Sequence, residues 1–144
     1  MIRESIRVLI VDDMPQVRQG LATVLQLASK AAKPKFDIVG EAQNGSEAIQ
    51  SAQLLHPDVI LMDLEMQILD GYSATQFIKT AQPSISIVVL SIHSDPASRQ
   101  KAAQAGADAF VEKGAPLDEL LQAIQNPYAS TSANHGMRCG DVNF

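Results

Sequence analysis

The sequence predicts an α/β domain: a doubly wound parallel sheet of five strands in the order 2-1-3-4-5, with five helices. Three observations lead there. Short apolar runs alternate strictly with stretches whose apolar residues recur at helical spacing, five of each. Val59–Met62 is apolar throughout, as a strand is when both of its faces are covered. Strict strand–helix alternation builds a parallel sheet between two helical layers. Right-handed crossovers then leave few topologies, of which 2-1-3-4-5 is a common five-strand solution.

The elements follow in order. Ile6–Val11 is the first strand and ends in Asp12-Asp13. Val17, Leu21, Val24, Leu25 and Ala28 then recur as one helical face. Lys30–Lys35 is a basic loop containing Pro34, and Asp37–Ala42 is the second strand. Asn44-Gly45 is a turn into a helix over Ser46–Leu55, with Ala48, Ile49, Ala52 and Leu55 on one face; His56-Pro57 stops it. Val59–Met62 is the third strand, ending at Asp63, and Asp70-Gly71 turns into a helix over Ser73–Ala81. Ile85–Leu90 is the fourth strand, ending at Ser91. Asp95-Pro96 opens the next helix as an N-cap with proline at the first helical position, and Gly106 closes it. Ala109–Val111 is the fifth strand, ending near Lys113. Pro116–Ile124 is the last helix, with Leu117, Leu120, Leu121 and Ile124 facing inward. From Asn126 to Phe144 the chain is rich in Ser, Thr, Asn and Gly without periodicity, so residues 1–125 read as one domain and 126–144 as a flexible tail.

Composition narrows the function classes. A chain of 144 residues with 46% hydrophobic and 19% charged residues is long enough to bury one sizeable core. With 4% aromatics and no Trp, that core is aliphatic. A net charge of −5 argues against nucleic-acid binding, which needs a basic face to neutralise phosphates. A single cysteine, Cys139, excludes an internal disulfide and a paired-thiol metal site. Nothing resembles a secretory leader, and no apolar run approaches the roughly 18 residues of a membrane helix. The expectation is a cytoplasmic protein with no membrane partner.

The chemistry lies where the polar residues fall. Asp12 and Asp13 end the first strand, Asp63 the third and Ser91 the fourth, and Lys113 follows the fifth. In an open α/β sheet, ligands bind at the carboxyl ends of the strands, where the strand order reverses. Here that is between the first and third strands. Three carboxylates brought together repel one another and call for a cation. Hard oxygen donors without His or Cys suit Mg²⁺. A carboxylate can act as nucleophile to give an aspartyl-phosphate. Phosphoryl transfer then needs its equatorial oxygens neutralised, and Mg²⁺, the Lys113 ammonium and the Ser91 hydroxyl suit that task. Taken singly, each residue has a bland reading: Asp12-Asp13 a helix cap, Asp63 a turn residue, Ser91 a strand terminus, Lys113 a solvated lysine. Joint placement at successive strand ends is what argues for a site.

These residues resemble the receiver domain of two-component response regulators. The resemblance is carried by Val8–Asp13, Asp58–Asp63, Met66 with Asp70-Gly71, Leu90-Ser91 and Gly106–Lys113, and covers about residues 5–125. It implies that Asp63 takes a phosphoryl group from a histidine kinase or phosphotransfer protein. It also implies that Asp13, Asp63 and the Glu65 carbonyl hold Mg²⁺, while Asp12 acts mainly through a metal-bound water. Lys113 would contact the phosphoryl group or pair with Asp63. Ser91 and Phe110 take the switch positions that remodel helix 4, strand 5 and helix 5. Homodimerisation through that surface, or through helices 1 and 5, is the pairing it implies. Asp12–Leu21 and Lys113-Gly114 are similar to the LuxR-type class, whose members usually carry a DNA-binding output domain; nothing helical is expected here after residue 125. Gln67 stands where the family usually has Pro, and the loop before strand two is longer than is common. Glu65 and His93 occupy positions that tune phosphate lifetime in the family. His56 reads as a helix-end residue. Met14, Met62 and Met66 read as packing around the site.

Three other readings compete. A haloacid-dehalogenase-like phosphatase also uses an aspartate with Mg²⁺, but its nucleophile sits on an N-terminal strand. A degenerate receiver would dock a partner without phosphorylation. A flavodoxin-like cofactor binder would need a phosphate-cradling loop after strand one, where Asp12-Asp13 stands instead. The signalling reading expects no turnover of an external substrate.

Overall fold

The computed structural model describes residues 5–32 and 34–125. The expected tail over 126–144, with Tyr128, His135 and Cys139, lies outside the described residues. The elements are β1 (Ser5–Val11), α1 (Pro15–Ser29), β2 (Lys35–Ala42), α2 (Gly45–Leu55), β3 (Val59–Asp63), α3 (Gly71–Ala81), β4 (Ser86–Ser91), α4 (Pro96–Ala105), β5 (Ala109–Glu112) and α5 (Leu117–Gln125). The five strands form one parallel sheet in the order β2-β1-β3-β4-β5, as expected.

Alternation along the strands sorts side chains into two aliphatic cores. Leu9, Val11, Ile60, Met62, Ile87 and Val89 face α2, α3 and α4, meeting Ala48, Ala52, Ala74, Ile78 and Ala102. Val8, Ile10, Leu61, Val88 and Leu90 face the other way, meeting Leu25 of α1 and Leu120, Ala123 and Ile124 of α5. Every residue of β3 and β4 is buried, which explains their lack of polar alternation.

Helix starts were the most legible boundaries. Asn44 accepts from the Glu47 amide at 2.9 Å, Asp70 from Ser73 at 2.8 Å and Asp95 from Ser98 at 3.1 Å. Each such cap contributes about 1 kcal/mol. Capping by Asp70 also starts α3 at Gly71, two residues earlier than expected. Gly106 closes α4 at φ 110, the left-handed conformation expected of it. His56 closes α2 in the same region at φ 47; there the Arg7 guanidinium donates to the Leu55 and His56 carbonyls, both at 2.7 Å.

Some inward-facing expectations need correcting. Val24 is 38% exposed and Leu117 40% exposed. Leu117 is the first residue of α5, before the helix lies on the sheet, and Ala123 completes the buried face instead. In α1 full burial falls to Leu25 and Ser29. Lys35 belongs to β2, opposite Ser5, rather than to the preceding loop. The Ser29 hydroxyl closes that loop, accepting from the Phe36 amide at 2.9 Å.

At the amino-terminal edge of the sheet, Lys79 ties three segments together. Its ammonium donates to the Pro83 and Ile85 carbonyls at 3.0 and 2.9 Å and to Asp108 Oδ2 at 2.9 Å. The same Asp108 oxygen accepts from the Ile87 amide at 2.8 Å. Removing one member of a mostly buried pair leaves the other charge uncompensated. Lys79→Met is therefore expected to lower unfolding free energy by about 2–3 kcal/mol, read as a lower urea midpoint at unchanged slope.

The β3–α3 loop carries strain. Ile68 sits at φ 66 with its side chain 75% exposed. A β-branched residue pays about 1–2 kcal/mol there, and burial returns little of it. Ile68→Gly is expected to stabilise by about 0.5–1 kcal/mol after the added unfolded-state entropy of glycine is set against the relief; thermal melts at fixed pH check the sign.

Candidate functional site

Register places the polar strand ends at one edge. In the β1–β3 ladder Val11 lies opposite Met62, so Asp12 and Asp63 follow at the same level. In β3–β4 Asp63 pairs with Leu90, and in β4–β5 Ser91 pairs with Glu112. The Lys113 amide then donates to the Ser91 carbonyl at 2.8 Å, holding the lysine beside the crevice. Asp63 and Ser91 lie inside their strands rather than just beyond them, so the sheet itself fixes both.

Asp12 is 1% exposed and Asp63 2%, whereas Asp13 is exposed. One carboxylate oxygen from each of the three lies within 4.8 Å of the others. The Lys113 ammonium donates to Asp12 Oδ2 at 3.1 Å and stands 3.0 Å from Asp63 Oδ1. That last contact is an ion contact without hydrogen-bond alignment, and Asp63 Oδ1 is left buried with no hydrogen-bond donor. A buried carboxylate oxygen that has an ion contact but no hydrogen-bond donor, beside two further carboxylates and with no His or Cys in the cluster, fits a hard divalent cation such as Mg²⁺.

Ser91 is wholly buried, but its hydroxyl is engaged away from Asp63. It donates to Glu65 Oε2 at 2.9 Å and accepts from the His93 amide at 2.9 Å. Glu65 and His93, marked by their positions in the sequence, thus meet at Ser91. Phe110 is half-buried, with the Arg99 guanidinium 4.6 Å from its ring centroid; Arg99 Nε also donates to the Ser94 carbonyl at 3.0 Å. Met62 and Met66 pack in the core as expected, but Met14 is 52% exposed at the α1 N-cap and is not part of that packing. His56 is a helix-end residue, its Nδ1 2.8 Å from Gln82 Oε1.

Two arginines at the site went unremarked in the sequence. Arg99 meets Phe110 only through the packing of α4 on β5. Arg18 had a readable signal: a cation just inside a helix N-terminus opposes the helix dipole and so calls for a specific acceptor. Its Nη1 donates to the Asp12 carbonyl at 2.7 Å and its Nε pairs with Glu41 Oε1 at 3.0 Å.

Electrostatics separate the two charged groups at the centre. Burial pushes the Asp63 carboxyl up to about 6; Lys113 pulls it back, and the charges of Asp12 and Glu65 add to the rise. Burial opposes the charge on Lys113, but its close contact with the Asp63 carboxylate, then with that of Asp12, leaves its pKa above the usual value.

The family model of the response regulator receiver domain matches residues 8–125. The chain belongs to that family. This receiver is 39% identical to the transcriptional regulatory protein LiaR of Bacillus subtilis, over 83% of the chain and 54% of LiaR. It is 36% identical to the response regulator GacA of Pseudomonas aeruginosa, over 86% and 56%. It superposes on a LuxR-family two-component response regulator from Aurantimonas with a TM-score of 0.77 at 31% identity, covering 87% and 86%. The receiver spans about half the length of the curated relatives it matches. The LuxR-type resemblance and the parallel fold are thereby borne out. Among the described residues, no helix is long and apolar enough to cross a membrane.

The elevated Asp63 pKa has a stability consequence. Between the ordinary carboxylate value of 3.8 and about 6, the native state holds a proton that the unfolded chain has released. Native stability therefore falls as pH rises through that window, and the full cost stands above it. Asp63→Asn removes the titration. It is expected to match the parent near pH 4 and to exceed it by roughly 2–3 kcal/mol at pH 7.5 without divalent cations, as read from urea melts across pH.

Proposed function

We propose that this receiver is a phosphorylation switch with Asp63 as the acceptor. An Asp63 carboxylate oxygen attacks the phosphorus of a phosphohistidine on a sensor kinase or phosphotransfer protein. The P–N bond breaks as the P–O bond forms, and the imidazole leaves and regains a proton. The observation that carries this reading is the buried Asp63, one oxygen without a hydrogen-bond donor, 3.0 Å from Lys113 and within 4.8 Å of the carboxylates of Asp12 and Asp13.

Asp13, Asp63 and the Glu65 carbonyl would hold Mg²⁺, with Asp12 reached through a water. When bound, the ion supplies positive charge to the transferring oxygens. Lys113 neutralises a second oxygen. The Ser91 hydroxyl leaves Glu65 to donate to a third, and Phe110 follows it inward, reshaping the α4–β5–α5 face as the readout. Residues 1–125 are the receiver in this reading, with 126–144 as a tail, and the protein acts in the cytoplasm. LiaR is by name a transcriptional regulator; an output of that kind lies outside the stretch shared with this chain. The chain itself makes no nucleic-acid contact in this reading, and a homodimer through α4–β5–α5 or through α1 and α5 is its candidate assembly. The phosphorylation-independent docking module has no observation in its favour, because every residue that phosphoryl transfer calls on is present.

Acetyl phosphate with Mg²⁺ is expected to add one phosphoryl group, seen by intact mass spectrometry. Asp63→Asn is expected to add none. An unchanged adduct in that variant sinks the assignment of Asp63.

A further inference from the structure

The hydrogen bonds around the acid pair divide unequally between its two members. Asp12 is anchored at every polar group. Its amide donates to the Ala42 carbonyl at 3.1 Å, extending the β1–β2 ladder by one residue. Its Oδ1 accepts from the Met14 amide at 2.9 Å, its Oδ2 from Lys113 at 3.1 Å, and its main-chain carbonyl from Arg18 at 2.7 Å. Asp13 is exposed, and among the described residues no hydrogen bond to its side chain is seen. With no such partner of its own, its carboxylate is placed by the backbone that delivers it and by its own choice of rotamer. The Asp12 carbonyl and the Asp13 amide share one rigid peptide plane. Whatever grips that carbonyl fixes the plane from which the Asp13 side chain projects.

The grip is well built. The Arg18 side chain is 16% exposed and is held at a second point by Glu41 at 3.0 Å. Glu41 lies on β2 opposite Ile10 of β1, so the clamp is referenced to the sheet rather than to the loop it steadies. Without Arg18 the Asp12 carbonyl would be a poorly hydrated acceptor lacking a partner, and the plane would be free to turn towards solvent.

We propose that Arg18, supported by Glu41, is a positioning residue that holds the Asp12–Asp13 peptide in the orientation a divalent cation requires. The inference rests on the metal-site reading above. It makes a prediction opposite in sign to simple electrostatics. A cation beside three carboxylates weakens Mg²⁺ binding by charge alone, so its removal should tighten binding. If Arg18 acts by positioning, its removal weakens binding instead. Loss of groups that orient metal ligands characteristically costs 10–100-fold in metal affinity.

The test is Mg²⁺ titration of the full chain by calorimetry, without phosphodonor, alongside thermal melts in chelator. Arg18→Ala is expected to weaken Mg²⁺ about tenfold. Arg18→Lys, which reaches the Asp12 carbonyl but cannot also engage Glu41 in the same fork, should recover part of the loss. Glu41→Gln should show a smaller weakening, and serves if Arg18→Ala does not fold. Equal or tighter binding in Arg18→Ala, or in Glu41→Gln where the alanine variant is unfolded, overturns the positioning role. Asp13→Asn is the separate control. If the parent does not bind Mg²⁺, or Asp13→Asn leaves binding unchanged, the metal-site reading fails rather than the clamp.

Discussion

Burial of two carboxylates side by side is the constraint around which this edge of the protein is arranged. Asp12 and Asp63 are both almost fully enclosed. Two such charges without compensation are prohibitive, and the Lys113 ammonium between them makes the arrangement tenable. Lys113 can stand there because β5 pairs with β4 in parallel register and delivers it by the hydrogen bond to the Ser91 carbonyl. The sheet order, the length of β5 and the state of the acid cluster are thus one problem with one solution. Compensation is partial, since Asp63 still titrates near 6 and keeps an oxygen without a donor. The remaining electrostatic tension is a property of the resting protein.

The opposite edge shows what full satisfaction looks like. Lys79 meets three oxygen acceptors there, and Arg7 engages the last carbonyls of α2. Lys79 ties the end of α3 to the segments leading into β4 and β5, and Arg7 ties β1 to the end of α2. At that edge the two cations have acceptors within the chain, whereas at the other a buried Asp63 oxygen has an ion contact but no hydrogen-bond donor. Such a division is common where a fold carries a reactive crevice, because reactive groups need unfilled valence and scaffolding groups do not.

Much of this was legible in the sequence, for physical reasons. Unbroken apolar strands, capping aspartates and asparagine, and a left-handed Gly106 are local signals, and the structure honours them. Convergence of Asp12, Asp13, Asp63 and Lys113 was legible because parallel topology sends every strand end to one side. What was not legible depends on side chains choosing among neighbours. That the Ser91 hydroxyl turns to Glu65, that Arg99 covers Phe110 and that Arg18 reaches back to Asp12 are decided by loop paths. Leu117 was misplaced because helical periodicity gives a face, not the length over which it stays in contact, and Val24 because its neighbour Leu25, about 100° further round the helix, lies at the centre of the buried face instead.

Helices α3 and α4 flank the crevice with very different anchorage. In α3, Gly71, Ala74, Thr75 and Ile78 are buried, and a Cβ on Gly71 would overlap the carbonyl oxygen of Asp63 itself. In α4 only Ala102 is buried. Mechanically, one wall of the crevice is stiff and the other compliant. Helix α3 cannot shift against β3 without displacing the backbone of Asp63 itself, whereas α4 is tied to the sheet by little more than Ala102.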